Sequence, residues 1–215
     1  MSDTPFVLEL TYARSGPAIY LSHLDAIDVL SRAIRRTGLP YRITQGCHPR
    51  PRLTFGPPLP LGHASRCEFL RLHLERPVDP AEAAQALSRQ LPAGFTVLEA
   101  RPVEGQPALT GSRLRYRLVF REGAEDTCQT VARFLGDPSQ TILVRRDGKE
   151  ERVGIGPAII AVAPDQGAST PTLLVDFEQG KQGLPSAGKI LTAVVEALGD
   201  RREDLILIER IALFS

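Results

Sequence analysis

The chain has 215 residues, of which 42% are hydrophobic and 24% are charged, and its formal net charge is +1. This composition is that of a folded globular protein and excludes a largely disordered chain. The chain contains no run of about 18 apolar residues, which excludes a membrane-spanning helix, and its start, MSDTPFVLEL, predicts no secretory signal.

The first segments with a clear pattern are a strand and a capped helix. Apolar residues alternate through 6–12, which predicts a half-buried strand. Ser22 and Asp25 have the spacing of a capping box and predict a helix start, and Gly38 and Pro40 predict its end. The buried stripe of this helix is predicted to be Leu24, Ile27, Leu30 and Ile34.

The pattern continues with two strands, a helix and a last strand. A short strand is predicted at 41–44, followed by a loop over 45–64 and a longer strand at 66–74. Asp79 predicts the start of a second helix, and 96–101 is the last strand. The sides of the long strand are predicted to be Leu70, Leu72 and Leu74 towards the core and Phe69, Arg71 and His73 on the outer surface. This β-α-β-β-α-β order is that of a ferredoxin-like unit.

The second half repeats this order after a linker at 102–111 that is rich in turn-forming residues. Its predicted elements are a strand at 113–121, a helix at 126–135, a hairpin strand at 141–146 turning at Asp147-Gly148, strand residues at 152–162, a strand at 171–178, a helix at 185–198 and a strand at 205–214. The predicted fold class is therefore α+β, with two tandem ferredoxin-like units of antiparallel sheet at 1–101 and 112–215.

A strongly basic region lies within the first unit. From Arg32 to Arg76, nine arginines stand against two carboxylates, Glu68 and Glu75, a local balance of +7. Arginine binds phosphate and carboxylate groups in a bidentate manner, so this region predicts an anionic partner. The predicted binding residues of this region are Arg35, Arg36, His48, Arg50, Arg52 and Glu68.

The 45–64 loop is the most informative segment of this region. Its five prolines restrict the backbone, so we expect an ordered loop in which 52–55 is extended. It carries His48, Arg50 and Arg52, which favours a recognition surface. A structural strap across the sheet is the alternative.

Strand periodicity predicts which side of the sheet two further sets of charged side chains face. Glu68 is in register with the core-facing leucines, so its carboxylate requires a partner on the buried side, either an arginine or N–H groups of the loop. Arg113, Arg115 and Arg117 alternate along one strand and form a candidate phosphate-binding face. The alternative is a solvated face, or a surface on which the two units pack.

Catalytic and metal sites are only weakly indicated. His23 with Asp25, or His48 from the loop, offers general acid-base chemistry, with helix capping and packing as the alternative for the first two. The four histidines and three cysteines have no metal-ligand spacing, so we expect neither a metal nor a cofactor. An odd number of cysteines without a Cys-x-x-Cys motif predicts reduced thiols and a cytoplasmic location.

Residues 183–189 match the G-x-x-x-x-G-K pattern of a nucleotide-binding loop without its supporting features. The next residue is Ile190, where magnesium binding requires Ser or Thr, and Pro185 interrupts the phosphate cradle. We therefore expect no nucleotide site in this segment.

Two stretches carry a family resemblance. The first is Tyr20-Leu-Ser-His-Leu-Asp25, followed by three arginines and Gly38-Leu-Pro40, and the second is Gln45-Gly-Cys-His-Pro-Arg50 with the Pro-rich Leu53–Gly62. They resemble the radical-SAM-linked protein family of unknown function (DUF2344-type domain), from which Cys47 departs because the family has an aromatic residue there. The resemblance implies a relative of domains fused to, or encoded beside, radical SAM proteins with a cobalamin-binding region.

These features together favour an accessory module without catalytic activity of its own. The basic region and the loop favour binding of RNA, such as tRNA or rRNA, or of a ribonucleoprotein, and the resemblance implies a radical SAM protein as partner. A metal-independent RNA-processing enzyme that uses a histidine is one alternative. A pure protein-docking domain is the other.

Overall fold

The computed structural model describes residues 6–103, 113–146, 148–180 and 183–214. The chain forms two compact units, Met1–Leu109 and Thr110–Ser215. In each unit, two α-helices accompany antiparallel strands, which confirms the predicted α+β class. Within the described ranges, no helix is both long enough and apolar enough to cross a membrane.

Residues 6–103, the described part of the first unit, form four strands and two α-helices. Its elements are β1 (Phe6–Arg14), a 3-10 helix (Gly16–Tyr20), α1 (His23–Arg36), β2 (Leu53–Phe55), β3 (Ala64–Leu74), α2 (Pro80–Ser88) and β4 (Phe95–Val103). The strands pair in the order β4-β1-β3-β2, and every pair is antiparallel. The central strands β1 and β3 are therefore each paired on both sides within this sheet.

Helix α1 begins as predicted, but its buried face differs from the predicted stripe. Ser22 and Asp25 form a reciprocal capping box, which confirms the predicted start. The buried face consists of Ala26, Leu30, Ser31, Ala33 and Ile34. Leu24 is 73% exposed, so its assignment to the stripe was wrong. The pattern ignored two alanines, whose small side chains allow a helix to pack closely, and the face that they define turns Leu24 to the opposite side.

The second strand of this unit lies later in the chain than predicted. Residues 41–44 do not form a strand, because Tyr41 bridges to Leu74 whereas Ile43 bridges to Pro51. A segment that changes partner after two residues cannot build a continuous ladder. The strand at this place in the sheet is β2, inside the predicted loop, which pairs with β3.

The end of the unit also differs from the predicted linker. Strand β4 continues through Pro102 and Val103, the first two residues of the 102–111 segment. The rest of that segment, 104–111, lies outside the described residues.

The second unit has the same kind of sheet with an additional hairpin. Its elements are β5 (Arg113–Phe120), α3 (Glu125–Gly136), β6 (Thr141–Arg146), β7 (Lys149–Gly154), a 3-10 helix (Gly156–Ala158), β8 (Ile159–Pro164), β9 (Thr172–Glu178), α4 (Ala187–Leu198), a 3-10 helix (Gly199–Asp204) and β10 (Leu205–Phe214). Within this unit, β10, β5, β9 and β8 pair in that order, all antiparallel. Strands β6 and β7 pair as a separate two-stranded ribbon.

The alternation predicted for β5 is confirmed. Leu114, Tyr116, Leu118 and Phe120 are all buried in the core of the second unit. The strand predicted at 152–162 is interrupted, since β7 ends at Gly154 and β8 begins at Ile159. Of the predicted turn, Asp147 lies outside the described residues, while Gly148 has a φ of 78°, as a tight hairpin turn requires.

Candidate anion-binding groove

The 45–64 segment consists of parts with different roles. Its first part is closed by two hydrogen bonds, from Thr44 N to Arg50 O (2.8 Å) and from Arg50 N to Thr44 Oγ1 (3.2 Å). Its last part is held to the unit by bonds from Gly56 N to Phe69 O (3.1 Å) and from Gly62 N to Ile19 O (2.8 Å). The strap interpretation therefore describes the end of the segment, and the 45–50 residues form an exposed loop.

This loop, which we call the 44–50 loop, is attached to helix α1. Arg35 Nη2 donates to Pro49 O at 3.1 Å, and Arg50 forms an ion pair with Asp28 at 3.6 Å. Both charged groups of that pair are about half exposed, so the pair contributes little stability, about 0 to 1 kcal/mol. Two of the predicted binding residues thus hold the loop in place.

A groove of about 570 Å³ lies beside the loop. It is lined by Arg42, Ile43, Thr44, Gln45, Arg52 and Glu75. Backbone bonds bring the two arginines together: Arg52 N donates to Arg42 O (2.7 Å), Arg42 N to His73 O (2.8 Å) and His73 N to Arg52 O (3.1 Å). Two arginines therefore line one groove and are attached through their backbones to each other and to β3.

The charged groups of the groove differ in their contacts. Arg42 Nε donates to Leu74 O at 3.2 Å, which orients its guanidinium. Glu75 N donates to Pro40 O at 2.8 Å, which fixes the backbone of the residue that carries the opposite charge. Within the described part of the unit, neither the Arg52 guanidinium nor the Glu75 carboxylate has an ion pair or hydrogen bond. Both are exposed to solvent.

His73 lies directly behind the groove and is not on the outer surface as predicted. It is only 3% exposed, and its Nε2 lies 3.4 Å from Thr54 Oγ1, while its Nδ1 is buried and has no hydrogen-bond partner among the described residues. Burial lowers the pKa of His73, and the guanidinium groups of Arg52, Arg42 and Arg71 lower it further. The guanidinium groups of these three arginines are therefore close enough to the imidazole to disfavour its protonated form.

Two other predicted binding residues are engaged within the unit. Arg36 donates to Gln90 through Nε to Oε1 (3.2 Å) and through Nη2 to the backbone oxygen (2.8 Å). Glu68 is 7% exposed and accepts a hydrogen bond of 2.7 Å from Ser65 Oγ. Arg36 thus links the end of α1 to the residues after α2.

Two of the three arginines of β5 are held by acidic side chains on neighbouring strands. Arg115 donates to Asp176 through Nε (2.6 Å) and Nη2 (2.7 Å), a bidentate pair that raises the pKa of Arg115. Arg117 donates to Glu209. These pairs make Arg115 and Arg117 part of the sheet, while Arg113 is exposed at the strand end.

The candidate acid-base residues do not come together in one site. Asp25 Oδ2 accepts from Ser22 N (3.3 Å) and Ser22 Oγ (2.6 Å), so its carboxylate caps the helix. The ring of His23 contacts the ring of Phe55 edge-on, with a centroid distance of 6.4 Å. His48 is exposed on the 44–50 loop. Among the residues with described positions, no three His, Cys, Asp or Glu side chains are grouped so that they could hold a metal ion.

The 183–189 segment forms the start of a helix. Ser186 is the capping residue of α4, and its Oγ accepts from Lys189 N at 3.4 Å. The pattern of glycines and lysine therefore has a local structural cause, namely a turn at Gly183, where φ is 91°, followed by a capped helix.

None of the curated proteins compared with the chain matches it. Among solved structures, the crystal structure of the first two RRM domains of yeast poly(U) binding protein (Pub1) is 10% identical over 96% of this chain and 99% of that one, with a TM-score of 0.23. Ferric DtpA from Streptomyces lividans is 14% identical over 97% and 87%, with a TM-score of 0.26. Scores this low carry no argument about fold or function.

The family model, in contrast, matches most of the chain. It aligns with residues 8–184, which include the groove, the 44–50 loop and the sheet of the first unit. The chain belongs to the bacterial family described as "Uncharacterized protein conserved in bacteria (DUF2344)".

Proposed function

We propose that the protein is a non-catalytic accessory module that binds an RNA or ribonucleoprotein substrate for a radical SAM partner of the cobalamin-binding type. The observation that carries the RNA part is the groove, in which Arg42 and Arg52 stand together. Guanidinium groups bind phosphates bidentately, and the exposed Arg52 guanidinium, which makes no ion pair within the described part of the unit, loses no such pair when it does so.

The position of the groove favours contact with an unpaired strand. The 44–50 loop begins in the groove wall with Thr44 and Gln45 and carries the exposed His48 and Arg50, so polar side chains continue along the chain beyond the groove. A cationic surface that follows a backbone is what single-stranded RNA binding requires. Asp28 offsets part of the Arg50 charge, which leaves Arg52 as the main candidate for a phosphate contact.

We also infer that the two units are tandem ferredoxin-like repeats. The orders β4-β1-β3-β2 and β10-β5-β9-β8 correspond strand for strand if the β6-β7 hairpin is an insertion. Four-stranded sheets of this kind bind RNA elsewhere by stacking bases on aromatic side chains of the sheet face. In the first unit that face instead holds an ion-pair network, in which Arg71 and Arg101 both donate to Glu9, so the groove is the better contact.

The partner part of the proposal rests on the family resemblance of the Tyr20–Asp25 and Gln45–Gly62 stretches. The second of these contains most of the 44–50 loop and two of the six groove residues, Gln45 and Arg52, so the stretch that carries the resemblance also carries part of the proposed binding surface. A cytoplasmic location belongs to this proposal, since both RNA and radical SAM chemistry are intracellular. Co-elution of the full chain with a radical SAM protein encoded beside it, in gel filtration, tests this part.

Fluorescence anisotropy with labelled single-stranded RNA and tRNA tests the RNA part. We expect binding at about 50 mM salt that weakens steeply towards about 200 mM, because phosphate contacts release counterions. The RNA should be recovered intact. Absence of binding at low salt would favour a protein-docking domain, and cleavage without added metal would favour a histidine-dependent nuclease; either result would overturn the proposal.

A further inference from the structure

We propose that the groove binds a single unpaired guanine nucleotide, with the phosphate on Arg42 and Arg52 and the guanine edge on Glu75. This inference rests on the proposed RNA-binding function and adds base selectivity to it. It follows from the groove having charges of both signs: RNA phosphates account for the arginines, but not for a carboxylate in the same wall.

The phosphate end is defined by the two guanidinium groups. Arg42 is oriented by its bond to Leu74 O, and Arg52 lies next to it through the backbone bond between the two residues. The carboxylate of Glu75 would repel a second phosphate, which limits the groove to one. Thr44 and Gln45, also in the wall, supply neutral polar groups.

The base end is defined by the hydrogen-bonding chemistry of a carboxylate. Ionised Glu75 can only accept hydrogen bonds, and its two oxygens match two adjacent donors. Guanine presents such a pair, N1–H beside the N2 amino group. Uracil presents one N–H between two carbonyl oxygens, and adenine and cytosine present an amino group beside an unprotonated ring nitrogen. A carboxylate therefore favours guanine over the other three bases.

The size and apolar lining of the groove agree with one nucleotide. Its volume of about 570 Å³ is within the range of about 300 to 1,000 Å³ that is usual for small-molecule pockets. Ile43, which is 58% exposed, adds an apolar surface in the same wall. A base needs such a surface for one of its faces once it leaves the stack.

Titration of the full chain with GMP, AMP, CMP and UMP, followed by NMR chemical shifts, tests the assignment. The same series is repeated by anisotropy with U-rich oligonucleotides that contain one central G, A or no purine. We expect about a tenfold preference for guanine, the size of one good bidentate contact. Glu75→Gln should remove that preference and should bind the all-U oligonucleotide at least as tightly as the unaltered chain, because the repulsion between the carboxylate and the phosphates is lost. Arg52→Ala should weaken all ligands alike.

Two exposed residues outside the groove provide matched controls, Glu99→Gln for the carboxylate and Arg32→Ala for the guanidinium. RNA binding without base preference, or a preference that persists in Glu75→Gln, would overturn this inference and leave the proposed function intact. Absence of both RNA and nucleotide binding would overturn both. GMP binding that depends on Glu75, without RNA binding, would keep the groove assignment and remove RNA as its ligand.

Discussion

Replacing Arg52 by alanine separates a binding role of the arginines from a structural one. Each phosphate contact with a single strand contributes about 0.7 to the slope of log affinity against log salt. Loss of one contact should therefore flatten the slope by about 0.7. Over the decade from 1 M to 0.1 M salt, the affinity of the variant should then rise about fivefold less than that of the unaltered chain. Stability should be unchanged, because the Arg52 guanidinium makes no ion pair in the described part of its unit.

Arg36→Ala is the matched variant with the opposite expectation. Its two hydrogen bonds to Gln90 join the end of α1 to the chain after α2. Their loss should lower the free energy of unfolding by about 1 kcal/mol, since the bonds are exposed and replaceable by water. RNA affinity should change less than in Arg52→Ala. Anisotropy at several salt concentrations measures the first effect, and urea unfolding followed by circular dichroism measures the second.

Two results for this pair of variants would refute a defined phosphate site. If Arg52→Ala lowers stability and leaves the salt slope unchanged, the groove arginines are structural and the binding hypothesis fails. Equal losses of RNA affinity in both variants would instead indicate a diffuse electrostatic field with no defined phosphate position.

Two further predictions concern the unit that carries the groove. Burial, and then the nearby arginines, lower the pKa of His73 in the folded chain. The unfolded chain therefore binds a proton near pH 6.5, whereas the folded chain binds it only at lower pH. Because the unfolded state binds more protons in this range, stability should fall as pH drops below about 6.5. His73→Gln should flatten urea-unfolding stability across that window, and an unchanged pH dependence would show that another group is responsible. Gly62→Ala should lower the free energy of unfolding by about 1 kcal/mol through its positive φ alone. Gly94→Ala should lower it clearly more, because a Cβ at Gly94 meets Ser15 O at 2.5 Å, whereas one at Gly62 meets nothing within 4 Å. Equal urea midpoints for the two variants would refute this packing.

Elements with strong local signals could be predicted from the sequence. The capping box at Ser22 fixes the start of α1 through bonds within four residues, so it does not depend on the rest of the fold. The clean alternation of β5 likewise gave its buried face without ambiguity. In both cases the information lies within the element itself.

Elements that depend on partners distant in the chain were harder to predict. Residues 41–44 and 53–55 are both short and extended, and only their pairing with β3 decides which of them becomes a strand. The same limit explains why Arg42 and Glu75 were missed as groove residues. They are 33 positions apart and meet through the end of β3, for which the sequence has no local signal.

The sequence gives the total charge of the basic region, but it does not show which arginines are available to bind a ligand. The balance of +7 is correct as a count, but it does not separate arginines that bond within the unit from those that do not. The former include Arg35, Arg36, Arg42, Arg50 and Arg71. A guanidinium that already donates to a carboxylate must lose that bond before it can bind a phosphate, and the two energies largely cancel. The affinity of a basic surface for an anion is therefore set by the few arginines without such a partner, and in this groove Arg52 is the residue that meets that condition.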